Sequence, residues 1–257
     1  MPQRESTKAH WSAFWSDHAD IDQVYSNEGR IPAELEKVRP LAGARVLEVG
    51  AGSGRDSLLL AERGAIPVTL DYTLEALRII QRLAQREGVA IELVCADCTR
   101  MPFRPGTFDV VFHQGLMEHF RDPSPLLREN HRVLRPGGHA LVDVPQRYHP
   151  YTVMKHILIA LGRWFAGWET EYSIGELERL VAGHGFTIRR AYGDWMVPGL
   201  LYRSVRTVCR KFGWLLPMYP PGVPGLAQGA AAFRRWFRPR RLALYTFLVI
   251  GVVAEKR

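Results

Sequence analysis

Val46-Leu47-Glu48-Val49-Gly50-Ala51-Gly52-Ser53-Gly54 decides the fold. A short apolar run ends in alternating glycines, and Ser57 to Arg63 then reads as a helix closed by Gly64. Glycine lets backbone approach a ligand closely, and a helix start aims free N–H groups at it. The spacing Glu48-x-Gly50-x-Gly52-x-Gly54 departs from the G-x-G-x-x-G of dinucleotide binders. Alone, such a turn is a weak signal, and its neighbours strengthen it.

Downstream, Ile66 to Leu70 reads as a second strand that ends at Asp71. Thr73 caps a helix with Leu74, Leu77, Ile80, Leu83 and Ala84 on one face, and Gly88 closes it. Ile91 to Cys95 is a third strand, followed by Asp97, and Thr107 to Phe112 is a fourth. Ser124 to Leu134 is a helix stopped by Pro136-Gly137-Gly138, and Ala140 to Val144 is a fifth strand. This alternation predicts a mostly parallel sheet with helices on both faces and right-handed crossovers. Ligands of open α/β sheets sit at the carboxyl ends of the strands. There Asp71 can accept from both ribose hydroxyls, and Asp97 can accept from an adenine amino group.

VLEVGAGSGRDSLLLAERGA, VTLDYTLEAL, CADCTRMPF, FDVVFHQGLMEHF and ENHRVLRPGGHALV follow in that order. They resemble the successive motifs of class I S-adenosylmethionine (SAM)-dependent methyltransferases, more narrowly the small-molecule type 11 group. The resemblance covers about residues 40–192. It implies an α/β, Rossmann-like, seven-stranded sheet, mostly parallel, with an antiparallel last strand. Phe186–Tyr192 and Leu242–Val253 are then the sixth and seventh strands, a hairpin with a long insertion at its tip. Residues 1–40 form an N-terminal helical cover and 41–257 the methyltransferase domain. Insertions 145–172 and 195–241 build the acceptor site and lid.

The resemblance also implies roles. Glu48, Gly50, Gly52 and Gly54 bind the methionine and ribose portion of SAM. Asp71 binds the ribose hydroxyls, with Tyr72 beside the adenine. Asp97 takes the adenine amino group, with Cys98 next to it. His113 and Gln114 line the methionine end, and Glu118 and His119 match the Glu-His pair common there. A methyl group moves to an O, N or C acceptor, and S-adenosylhomocysteine (SAH) is left. A neutral hydroxyl acceptor needs a base, and the catalytic candidates are His113, His119, His149 and Tyr148. His18 and Tyr25, on the N-terminal segment, are further candidates. A non-catalytic SAM-binding protein is an alternative, because the cofactor motifs alone do not require turnover.

Beyond the motifs, Trp11, Phe14, Trp15 and His18 lie on one face of a helix. Pro145 to Tyr172 is an insertion with a helix near Val153 to Trp164, and Ser173 and Glu176 have capping-box spacing. About 50 irregular residues separate the sixth strand from the last. All seven tryptophans lie in the cover and the two insertions. Aromatic walls with basic residues suit a small-molecule or lipid-linked acceptor that is apolar and carries a negative group.

The chain has 257 residues, 47% apolar and 23% charged, which excludes disordered and collagen-like classes. No apolar run reaches the roughly 20 residues of a membrane span. MPQRESTKAH has no apolar leader, and three cysteines make no disulfide framework, so the expectation is a cytoplasmic protein. Cys95-x-x-Cys98 lacks a second ligand pair, and the strand should place Cys95 in the core. The histidines lack metal-like spacing, so no metal is expected.

Net charge is +8, yet Trp195 to Ala254 holds nine Lys and Arg and no Asp or Glu. Without those nine the rest of the chain stands at −1. This block is either a solvated face or the place where an anionic partner meets the protein. On 199–216, Leu201, Val205, Val208 and Phe212 share one helical face, with Arg203, Arg206 and Arg210 off it. Two readings stay open: a lid helix packed on the core, and an interfacial element for an anionic membrane surface through 199–241. Methylation of nucleic acid by the basic block is less favoured, since there is no appended RNA-binding module.

Overall fold

The structure is a computed structural model that describes residues 7–18, 29–164, 168–221 and 224–257. Seven strands, β1 Arg45–Val49, β2 Ile66–Asp71, β3 Glu92–Cys95, β4 Phe108–Gln114, β5 Leu134–Pro145, β6 Phe186–Asp194 and β7 Val249–Lys256, form one sheet. Their order is β3-β2-β1-β4-β5-β7-β6. All neighbours are parallel except β7, which runs antiparallel to both β5 and β6. The sheet is thus the Rossmann-like one expected from the motifs.

Period-2 alternation splits the core between two faces. Leu47, Val49, Val111 and Val142 pack with α5 (Ser124–Val133) and α7 (Ile174–Ala182). Val46, Val110, Phe112 and Leu141 pack instead with Ile31 and Leu35 of α2 (Arg30–Leu35) and Leu60 of α3 (Arg55–Glu62). The helix α4 (Leu74–Glu87) ends on Gly88 in the left-handed region, at φ 67°. Ahead of the sheet, α1 (Lys8–Asp17) packs on α4. Ser173 and Glu176 form both halves of the capping box at the start of α7.

Several local expectations are corrected. Leu74 is exposed, because α4 turns Ala76, Ile79 and Ile80 inward beside Leu77, Leu83 and Ala84. Cys95 is exposed, not in the core, because β3 is an edge strand. The last strand starts at Val249. Arg241–Tyr245 is a 3₁₀ turn that buries Ala243 and Leu244 while Leu242 and Tyr245 face out. The segment between β6 and β7 is not irregular either. It holds α8 (Leu200–Lys211) and α9 (Pro224–Phe237), and the insertion after β5 holds α6 (Pro150–Ala160).

Candidate functional site

The carboxyl ends of β1 to β4 surround a cavity of about 510 Å³. Gly50, Gly52 and Gly54 all have φ between 53° and 64°, a region that costs an L side chain strain. The Gly50 amide donates to the Leu70 carbonyl at 2.7 Å, which pins the turn to β2. A Cβ on Gly52 would run into the ring of Trp15. Trp11 and Trp15 of α1 therefore cap the cavity directly over the glycine turn.

Four carboxylates meet there. Glu48 is buried and accepts from the Ser57 hydroxyl of α3. Burial, and then the neighbouring Asp56, push its carboxyl up to about 8. Burial lifts Asp56 to about 6. Asp71 Oδ1 accepts from the amide and hydroxyl of Thr73, and Oδ2 accepts from the Gly52 amide at 3.1 Å. Burial raises its carboxyl as well. Asp97 accepts from the Thr99 amide and hydroxyl, both at 2.8 Å. Tyr72 and Cys98 line the same space, and burial pushes the Cys98 thiol up to about 12, so it stays a neutral wall.

An adenosine-bearing ligand fits this donor set. A carboxylate has about four acceptor sites, so Asp71 Oδ2 retains capacity for a ribose hydroxyl beside Gly52. Leu70, Ala96, Leu116 and Phe120 supply apolar wall. SAM, when bound, supplies a methyl group activated by its sulfonium. Among the described residues no three His, Cys, Asp or Glu side chains gather as a metal site.

Sheet alternation sorts the remaining candidates. Gln114 shares the α2–α3 face, where it lines the cavity and donates to Asp56. His113 takes the opposite face and is fully buried away from the cavity. Burial lowers its imidazole to about 3, so it is a neutral core residue, which corrects its expected place at the methionine end. Tyr148 is exposed beside Tyr245 and does not line the cavity. His149 caps α6, accepts from the Tyr151 amide, and lines another cavity near β6. His18 is an exposed helix end bonded to Phe14, and Tyr25 lies outside the described residues. His119 does line the main cavity, edge-on to Trp11 at 5.0 Å. Its Nδ1 is buried with no hydrogen-bond partner among the described residues, and burial lowers its pKa.

Two clusters were not legible in the sequence. Arg30 donates to Asp143 at 2.9 Å and to Gln114 at 2.7 Å, and the Tyr192 hydroxyl donates to Asp143. This ties α2, β4, β5 and β6 behind the cavity. Lys155 of α6 is fully buried between Glu169 and Glu171, each at 2.6 Å, with Trp164 also donating to Glu169. Glu118 is buried nearby, and burial followed by Glu169 raises its carboxyl well above the ordinary value. Only the acidic first turn of α3 offered a local signal, in Asp56.

The sheet order, glycine turn and acidic strand ends define a domain that binds an adenosine cofactor at the carboxyl edge of its sheet. Residues 47–142 match the model of the methyltransferase domain family, and this stretch carries the class I SAM-dependent methyltransferase motifs. Curated relatives include ubiquinone biosynthesis O-methyltransferases. That of Parvibaculum lavamentivorans is 27% identical over 165 residues, 62% of this chain and 65% of the relative. That of Ralstonia nicotianae is 33% identical over 135 residues, 52% of this chain and 57% of the relative. The chain thus spans less than two thirds of their length. Among solved structures, magnesium protoporphyrin IX methyltransferase from Synechocystis with bound SAH is similar. Its TM-score is 0.56 at 13% identity, over 97% of this chain and 84% of that one. The [4+2]-cyclase SpnF is similar too, with TM-score 0.55, 19% identity, and coverage of 88% and 80%. These likenesses show the fold, and the cyclase illustrates that one fold hosts different reactions.

Proposed function

We propose that the protein transfers a methyl group from SAM to a hydroxyl of a small, largely apolar acceptor that carries a negative group. One observation carries the reading. One cavity is lined by the carboxylates Asp71 and Asp97 and by His119. In this reading Glu48, Gly50, Gly52, Gly54, Asp71, Tyr72, Asp97, Cys98 and Gln114 hold the cofactor. His119, neutral at pH 7 because burial disfavours its charged form, lines the cavity and accepts the acceptor's proton. Trp11 and Trp15 exclude water, so that alignment of acceptor and methyl does much of the work. Oxygen as the acceptor atom is supported by the names of the relatives. The basic residues of 195–241 suit the acceptor's negative group.

The test uses methyl-labelled SAM with a polyprenylated hydroxybenzoate or catechol. Label entering the organic phase as a methyl ether is the expected result. His119→Asn should lower kcat about 10²–10⁴-fold, the usual share of a general base, with SAM affinity kept. Label that goes only to RNA, or SAM binding without transfer to any acceptor, would sink the reading. Unchanged kcat in His119→Asn would remove the base and leave proximity alone.

A further inference from the structure

Helix α8 is inverted. Leu201, Val205, Val208 and Phe212 are 80%, 44%, 53% and 75% exposed, so the aliphatic row faces out. The half-buried side carries the arginines instead. Arg203 donates to the carbonyls of Val197 and Pro198, and Arg206 to that of Leu216. These bonds fasten the helix to its flanking loops, so its apolar face is left outside by construction. Trp214 and Leu215 continue the row at 70% and 87% exposure. On α9, Phe233 and Trp236 face out beside Arg234 and Arg235, and on α6 so do Val153, Ile157 and Leu161.

The three helices gather around one cavity of about 370 Å³. His149 and Pro150 begin its wall, Gly199 and Leu200 continue it, and Phe233 and Arg234 close it. Pro145, Val249 and Asp194 stand in one row of the sheet, so this cavity lies at the ends of β5 and β6. That is the same edge of the sheet as the cofactor cavity.

We propose that the outward face of α8, with α9 and α6 beside it, docks on an anionic lipid bilayer. Charge decides among occupants. A symmetric second copy would set the same patch against itself, basic residues on basic residues with no acid between 195 and 254 to relieve them. Nucleic acid would satisfy the charges but gains nothing from Leu201, Val205 and Val208, which are aliphatic and offer no stacking face. A bilayer uses both features: the row enters the acyl boundary, and Arg210, Lys211 and Arg235 meet lipid phosphates. The lipid-facing cavity then admits an amphiphile sideways, without a passage through water. Docking itself needs no turnover, so it can hold or fail independently of methyl transfer.

The experiment is co-sedimentation of the full chain with vesicles of phosphatidylcholine alone or mixed with phosphatidylglycerol. Binding to the mixed vesicles at low salt is expected, weakening as salt screens charges beyond about 8–10 Å. Leu201→Ser with Phe212→Ser should weaken it about tenfold or more for each residue. Arg210→Gln with Lys211→Gln should weaken it about fivefold for each. SAM affinity by calorimetry should be unchanged in both double variants, which certifies the fold. No sedimentation at low salt overturns the proposal. So does binding that ignores the serine substitutions, which is what a nucleic-acid surface would show. A dimer in sedimentation velocity that Phe212→Ser dissociates assigns the face to a second copy and overturns it as well.

Discussion

The two ends of the carboxyl edge are built on opposite plans. Around β1 to β4, the cofactor-end carboxylates each have a short-range partner: Ser57 for buried Glu48, Thr73 for buried Asp71, Thr99 for exposed Asp97. Around β5 and β6, long basic side chains grip backbone carbonyls while apolar ones face out. A cofactor of fixed shape needs a few donors and acceptors at set positions, and buried polar groups must be paired or they cost free energy. In the proposed reading the acceptor is met instead by the shape and charge of whole helices. The first plan concentrates its information in short motifs, and the second spreads it over three segments.

The largest way to break this contrast is to attack the frame that the two ends share. Arg30 and Asp143 are both buried, and they join α2 to the sheet beneath Gln114. Arg30→Met should cost about 3–5 kcal/mol of stability, because the buried Asp143 carboxylate loses its charged partner and keeps only the Tyr192 hydroxyl. Urea unfolding measures it. A loss below 1 kcal/mol would mean that Asp143 simply takes up a proton or that the pair is dispensable.

That frame also marks what the sequence could and could not tell. The strands, the glycine turn and the capping box were legible because each rests on local spacing. Arg30 and Asp143 were not, because they are 113 residues apart and neither sits in a motif. Of the adjacent pair expected at the methionine end, Gln114 lines the cavity and His113 does not. Both lie at the end of a hydrophobic strand whose period-2 alternation allows only one of two neighbours to face the site. Cys95 was misplaced for want of strand order, since an edge strand has no second neighbour to bury it. The outward row of α8 was visible as a row, but which way it faced depended on the carbonyls of Val197, Pro198 and Leu216.

A smaller effect sharpens the contrast by separating cofactor from acceptor. Asp71→Ala should lose about 1.5–3 kcal/mol of SAM affinity by calorimetry, the cost of leaving polar ligand groups without partners. Asp71 also holds the Gly52 and Thr73 amides, so Asp71→Asn, which keeps one acceptor oxygen, serves as the folded control. Arg234→Gln, in the wall of the other cavity, should leave SAM affinity untouched. If Arg234→Gln weakens SAM as much as Asp71→Ala does, the two ends are one site and the division is false.

The smallest effect distinguishes the two ends by pH. Burial raises Glu48 from 4.5 to about 8, so between those values the folded chain holds a proton that the unfolded chain has lost. Stability from this group is therefore full below pH 4.5 and declines as pH rises toward 8. His113 acts in the opposite sense. Its pKa falls from 6.5 to about 3, so its contribution is lost as pH drops below 6.5. Asp56, raised to about 6, is mostly ionised above pH 6.5. In the window from pH 6.5 to 8, Glu48 in the cofactor end contributes, and burial also raises the carboxyls of Asp71, Asp143 and, on the other side, Glu118. Across it, wild type should lose about 1–2 kcal/mol through Glu48, at no more than about 1.4 kcal/mol per pH unit. Glu48→Gln keeps an oxygen for the Ser57 hydroxyl and should remove that share of the slope in urea midpoints. A further fall in the surviving slope on adding Glu118→Gln measures the share of Glu118. If Glu118→Gln alone flattens the profile and Glu48→Gln does nothing, the titrating carboxyl lies beside Lys155 and Glu169, and the acceptor end is the pH-sensitive half.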